Sequence, residues 1–321
     1  GAVDRLTEGD GVHSALASGG GVVVISSRSM DGDGVLVEVR RGGEPLRTVP
    51  SHAEAPLVRP HADFAVVGKR RLRTAVLFPS ALFPSGSRSG ALPVLMDPYG
   101  GPHAQRVMRA RGAFLTSQWL ADQGFAVVVV DGRGTPGRGP EWERAVLGDL
   151  AGPILDDQVD ALQALARDDD RLDLGKVAIR GWSFGGYLAA LAVLRRPDVF
   201  HAAVAGAPVT DWSLYDTHYT ERYLGTPQEA PDAYRRSSLL DDAARLERPL
   251  LLIHGVADDN VVFAHTLRLS RALLEAGRPH RVLPLSGITH MATDESVAEN
   301  LLNLQVAFLR EALGLEARSA I

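Results

Sequence analysis

The sequence predicts an α/β domain with a mostly parallel central sheet flanked by helices, preceded by a short all-β segment. Three observations lead there. From about residue 61 onward, short continuous apolar runs alternate with amphipathic helical periods. Such runs read as strands buried on both faces, which requires helices above and below the sheet. Before that point only short strands occur, separated by glycine-rich turns.

In chain order, Gly20-Gly21 precedes Val22-Val23-Val24-Ile25, Asp31-Gly32-Asp33-Gly34 precedes Val35-Leu36-Val37, and Gly42-Gly43 follows. Strands of this length and spacing suggest a meander or one propeller-like blade. A single such unit cannot bury a core of its own, so it is expected to lean on its neighbour. The polar, proline-punctuated stretch 51–60 is the expected boundary, dividing the chain into a 1–58 β segment and a 59–321 domain. Candidate strands of that domain are 74–78, 94–97, 126–130, 177–180, 202–205, 250–254 and 281–284, with a loop at 79–90. Leu155, Val159, Leu162 and Ala166 share one helical face. The same spacing recurs in Phe263, Leu267, Ser270 and Leu274, before a Gly277 stop, and in Val297, Leu301, Leu304 and Phe308.

Composition narrows the function classes. A net charge of −5, with no basic stretch longer than Lys69-Arg70-Arg71, argues against nucleic-acid binding. Cysteine is absent, which removes disulfides, a thiol nucleophile and Cys-based zinc sites, and fits a reducing, cytoplasmic setting. His103, His201, His218, His254 and His265 have no metal-ligand spacing and read as structural or surface residues, so neither metal nor cofactor is expected. There is no apolar run of about 18 residues and no basic-then-apolar leader, so no membrane association is expected. The chain opens on Gly1 rather than Met, and further native sequence is expected before it.

The chemistry centres on Gly181-Trp182-Ser183-Phe184-Gly185. This G-x-S-x-G follows the apolar Val177-Ala178-Ile179 and opens a helical run, the strand-to-helix context of a nucleophile elbow in an α/β-hydrolase fold. Serine needs a base, and the base an orienting acid, in the chain order Ser, acid, His. Asp258-Asp259 directly follow the strand 250–254, and the residues alone do not choose between them. His290 is the one histidine beyond the strand 281–284. The oxyanion would receive the Phe184 backbone N–H and a second donor. That donor is expected near Asp97-Pro98-Tyr99-Gly100-Gly101-Pro102, where Tyr99 could supply a phenol, although Gly100-Gly101 could equally be a plain turn.

These residues carry a resemblance. Gly181-Trp182-Ser183-Phe184-Gly185-Gly186-Tyr187, Pro98-Tyr99-Gly100-Gly101-Pro102 and Asp131-Gly132-Arg133-Gly134 are similar to motifs of the prolyl oligopeptidase family, in its dipeptidyl-peptidase IV branch. So are the run from Tyr215 to Tyr223 and Leu252-Ile253-His254-Gly255-Val256-Ala257-Asp258-Asp259-Asn260-Val261. The resemblance implies Asp258 as the acid, Tyr99 as the second oxyanion donor and Asn260 as a contact to the substrate backbone. It also implies a proline-accepting pocket of Phe184, Val209, Trp212, Tyr215, Tyr219 and Val261. Trp212, Tyr215 and Tyr219 are spaced three and four apart, one face of a helical turn, and spacing alone would equally suit a core stripe.

That family carries a large β-propeller, of which residues 1–58 look like a last blade and linker. The missing propeller portion would pack on the catalytic domain, and a homo-oligomer fits the family. Its dipeptidyl-peptidase branch reads a free amino terminus with a propeller-borne pair of glutamates, and no Glu-Glu dipeptide occurs in this sequence. The expected activity is peptide hydrolysis through an acyl-enzyme, after proline or a small residue. A carboxylesterase, an acylaminoacyl-peptidase and a non-catalytic interaction module are the alternatives.

Overall fold

A computed structural model describes Val3, residues 5–82 and residues 90–316. Twelve strands are described, in two sheets. β1 (Val12–Ala17), β2 (Val22–Arg28), β3 (Leu36–Arg41) and β4 (Glu44–Val49) pair in sequence order, all antiparallel. Gly42 and Gly43, both at positive φ, make the β3–β4 hairpin turn. This four-stranded sheet leans on the larger domain. Met30 packs into that domain's core, the Arg111 guanidinium donates to Met30 O at 3.1 Å, and Arg111 pairs with Asp33.

The second sheet contains β5 (Ala62–Val67), β6 (Leu72–Leu77), β7 (Leu92–Met96), β8 (Ala126–Asp131), β9 (Leu172–Trp182), β10 (Ala202–Gly206), β11 (Leu250–Gly255) and β12 (Arg281–Leu285). Their spatial order is β12-β11-β10-β9-β7-β8-β6-β5. From β12 to β8 every neighbouring pair is parallel, while β6 runs antiparallel to both β8 and β5. The expected strands are all present. β5 was not expected, because its half-exposed positions interrupt the apolar pattern that marks a buried strand. In the 79–90 loop a 3-10 turn covers Ser80–Leu82, and residues 83–89 lie outside the described residues.

The helices are α1 (Leu115–Asp122), α2 (Pro140–Arg144), α3 (Gly152–Asp168), α4 (Phe184–Arg195), α5 (Thr217–Leu224), α6 (Pro231–Ser237), α7 (Ala264–Glu275) and α8 (Glu295–Ala312). The sheet separates two cores. α3, α4 and α7 pack over one face with Val128, Val130, Val177 and Ile179, and α1 and α8 cover the other with Val127, Val129 and Ala178. Alternate residues of a strand thus serve opposite cores.

The apolar stripe expected on α7 is not its inner face. Leu267 and Leu274 are exposed, whereas His265, Thr266, Leu269 and Leu273 are buried. Two partnered polar residues occupy core positions there, so hydropathy points the helix the wrong way. On α8, likewise, Leu304 is exposed and Gln305 is buried, accepting from the Arg180 guanidinium at 3.1 Å. Among the described residues no helix is long and apolar enough to cross a membrane.

Candidate active site

β9 runs into α4 through Ser183, which sits at φ 58 and ψ −118. Residues with a Cβ rarely occupy that region, and it persists only where the surroundings enforce it. Here the Ser183 N–H donates to Gly206 O on β10 at 2.8 Å, and the Ser183 carbonyl accepts from Tyr187 N at 2.9 Å. A Cβ on Gly181 would lie 2.2 Å from Gly185 O, and one on Gly185 would lie 2.8 Å from Pro98 O. Both glycines are therefore required by close backbone approach. The Phe184 N–H opens α4, where N–H groups have no intrahelical acceptor and the helix dipole is positive.

The loop after β11 brings Asp258, rather than the exposed Asp259, to His290. Asp258 Oδ2 lies 2.7 Å from His290 Nδ1, while Oδ1 accepts from the Asn260 and Val261 N–H groups at 3.0 and 2.9 Å. A buried carboxylate requires such donors. With Asp258 facing Nδ1, that nitrogen carries the proton and Nε2 is left to accept one. The loops bearing Asp258 and His290 are joined by Ala257 N donating to Ile288 O at 3.1 Å. Beside Ser183, the Trp182 indole N–H donates to His290 O at 2.7 Å.

Tyr99 follows β7 on a loop that packs against α4, its ring 5.8 Å from that of Phe184. Burial, with Tyr215 and Tyr223 nearby, pushes the Tyr99 phenol up to about 12, so it remains a donor at neutral pH. Beyond it lies an aromatic cluster. Trp212 and Tyr219 stack at 6.0 Å and 9°, and Tyr215 stands edge-on to each, at 5.8 and 5.5 Å. Phe184 meets Trp212 at 5.7 Å, and Val209 and Val261 are buried in the same core. The Tyr215 hydroxyl donates to Asn260 Oδ1 at 3.4 Å.

The rings do not share one helix as their spacing suggested. Trp212–Leu214 is a 3-10 turn capped by Asp211, Tyr215 is extended, and α5 restarts with Asp216 as its N-cap. Two Asx caps thus break the helix, and the rings converge from two elements. Of the three rings, Trp212 is buried while Tyr215 and Tyr219 are only partly so.

Sequence reasoning missed other members of this constellation. His254, read as structural or surface, is fully buried beside Asp258. Its Nε2 donates to Val261 O at 2.7 Å and lies 3.4 Å from Asp258 Oδ2, and Nδ1 meets Thr266 Oγ1 at 2.7 Å. Burial, the largest influence, lowers its pKa, so the contact with Asp258 is that of a neutral ring. His103 sits at φ 73, its Nε2 2.9 Å from the Tyr223 hydroxyl and its ring 5.1 Å from that of Tyr219. A histidine in left-handed backbone has no signal in hydropathy. Tyr223, four residues after Tyr219 on a helix, could have been found by spacing.

Residues 113–316, more than half of the chain, match the model of the prolyl oligopeptidase family. The chain belongs to this family. It is 44% identical over 193 residues to dipeptidyl peptidase 8 of Mus musculus and of Homo sapiens, a match covering 59% of this chain and 22% of theirs. It is 31% identical over 239 residues to dipeptidyl peptidase 4 of Sus scrofa, covering 72% of this chain and 30% of that one. Among solved structures, dipeptidyl peptidase 4 of Porphyromonas gingivalis superposes with a TM-score of 0.84 at 30% identity, over 96% of this chain and 44% of that chain. The chain thus spans less than a third of the length of these curated relatives. Its α/β-hydrolase fold is shared with that dipeptidyl peptidase 4 structure.

Proposed function

We propose that this chain hydrolyses peptides as a serine peptidase of the dipeptidyl-peptidase type, through an acyl-enzyme formed on Ser183. The observation that carries this is the double hold on His290. Asp258 grips its Nδ1 at 2.7 Å, and Trp182, the neighbour of Ser183, grips its carbonyl at 2.7 Å. A base oriented by an acid and tied to the neighbour of a strained elbow serine is an arrangement suited to acyl transfer.

Ser183 Oγ attacks the scissile carbonyl as His290 Nε2 takes its proton, and Asp258 stabilises the resulting imidazolium. The tetrahedral oxyanion receives hydrogen bonds from the Phe184 N–H and the Tyr99 hydroxyl. His290 then protonates the leaving amine, the C–N bond breaks, and an ester to Ser183 remains. Water, deprotonated by His290, attacks that ester and releases the acid. The partly buried rings of Tyr215 and Tyr219, backed by buried Phe184, Val209, Trp212 and Val261, are the flat apolar surroundings that would suit a proline ring or a small side chain. With Tyr215 donating to Asn260 Oδ1, the Asn260 amide NH2 is left to donate to a substrate carbonyl.

Two measurements test this. Ser183→Ala should abolish covalent labelling by a fluorophosphonate probe, and stoichiometric labelling of that variant would remove Ser183 from the chemistry. Gly-Pro anilide should be cleaved well ahead of acetyl-Ala anilide. Hydrolysis of a short nitrophenyl ester with neither anilide touched would make the protein an esterase.

A further inference from the structure

His290 lies between β12 and α8 on a segment, 286–294, that is largely exposed. Three contacts hold it: Ala257 N to Ile288 O at 3.1 Å, His290 Nδ1 to Asp258 Oδ2 at 2.7 Å, and Trp182 Nε1 to His290 O at 2.7 Å. The first two fasten it to the acid's loop. The third fastens it to β9, the strand that delivers Ser183.

Trp182 is itself rigidly placed. It pairs with Gly206 across the β9–β10 register, and the indole lies so close over that residue that a Cβ there would meet the ring at 2.0 Å. The next N–H along, that of Ser183, donates to Gly206 O at 2.8 Å. Ala178, Arg180 and Trp182 share one face of β9. Arg180 on that face is pinned by Asp97 and Gln305, and the indole packs in the same core as Leu283 and Leu285, which precede the base's segment, and Ala292 within it. An indole N–H only donates and a backbone carbonyl only accepts, so the contact has one polarity.

We propose that Trp182 is a positioning residue for the triad, its indole N–H holding the His290 backbone so that the imidazole stays in line with Ser183. This rests on His290 being the base. The alignment it sets matters in the transition state more than in substrate binding, because small misplacements of a reacting group weaken turnover disproportionately. Trp182→Phe keeps most of the packing and removes the donor. Replacement by benzothienylalanine keeps the bicyclic shape and removes only the N–H.

With Gly-Pro anilide and the full chain, each variant should lose about three- to tenfold in kcat, the range of one neutral hydrogen bond, with KM within about twofold of wild type. The downfield proton resonance of His290 Nδ1–H should broaden or shift in both, which loss of packing elsewhere would not cause. Wild-type kcat and an unmoved resonance in the benzothienylalanine variant would overturn the inference, whether or not Trp182→Phe folds. His290→Ala separates the two levels: retained turnover there removes the base itself. Abolished turnover there, beside wild-type kcat in the two Trp182 variants, removes only the role of Trp182.

Discussion

Gly185→Ala is expected to disable the oxyanion hole while leaving the fold intact. The new Cβ would stand 2.8 Å from Pro98 O and 3.5 Å from Tyr99 Cα. Relief to an ordinary contact of about 3.4 Å requires a movement of roughly 0.6 Å. α4 cannot supply it, since it is buried along almost its whole length and Gly186 already backs onto Gly206 O. The loop bearing Tyr99 must therefore retreat. A donor that reaches an oxyanion at about 2.9 Å would then stand at about 3.5 Å, outside useful hydrogen-bond range. The expected loss in kcat approaches that of deleting one donor, about a hundredfold, with about 1–3 kcal/mol of destabilisation from overpacking. Active-site titration followed by steady-state turnover of Gly-Pro anilide measures the first, and urea unfolding the second. Because both changes act through one phenol, Gly185→Ala and Tyr99→Phe should not multiply when combined. Wild-type kcat in Gly185→Ala, or fully multiplicative losses in the double variant, would refute the reasoning.

Tyr99→Phe alone should lose about 10²–10³ in kcat, and a rate within twofold of wild type would take Tyr99 out of the hole. His265, fully buried with its Nδ1 accepting from Thr210 N at 3.1 Å, has its pKa driven down to about 4 by burial. Its folded pKa is depressed, so the unfolded chain binds the extra proton. The stability this contributes is full above the ordinary value of 6.5 and is lost as pH falls through the window towards 4, at up to about 1.4 kcal/mol per pH unit. Urea midpoints of wild type should accordingly fall more steeply over that window than those of His265→Gln, and parallel slopes would contradict this.

Much of the chemistry was written locally. The apolar strand, the glycines around Ser183 and the helix after it are contiguous, so the elbow could be read from one short stretch. The order Ser, acid, His follows from the strand succession, and the parallel sheet from apolar runs broken by helical periods. Other features depend on segments far apart in sequence. β5 stayed hidden because an edge strand has a half-exposed pattern. The inner face of α7 was misplaced because His265 and Thr266 are buried only by virtue of partners at Thr210 and His254.

Chain order and residue types by themselves determined the fold class and singled out Ser183 at a strand-to-helix elbow, because these depend on hydrophobic period and on the glycines around a single position. The residues alone left Asp258 and Asp259 open, and the resemblance implied Asp258; the tertiary structure turns Asp258 inward to meet His290. Only the tertiary structure gathered the aromatic cluster, whose rings arrive from two elements parted by an Asp cap. The hold of Trp182 on His290, 108 residues away, is of the same kind. A hydrogen bond across that separation exists only once β9, β10 and the segment before α8 have been brought together, and no local pattern records it.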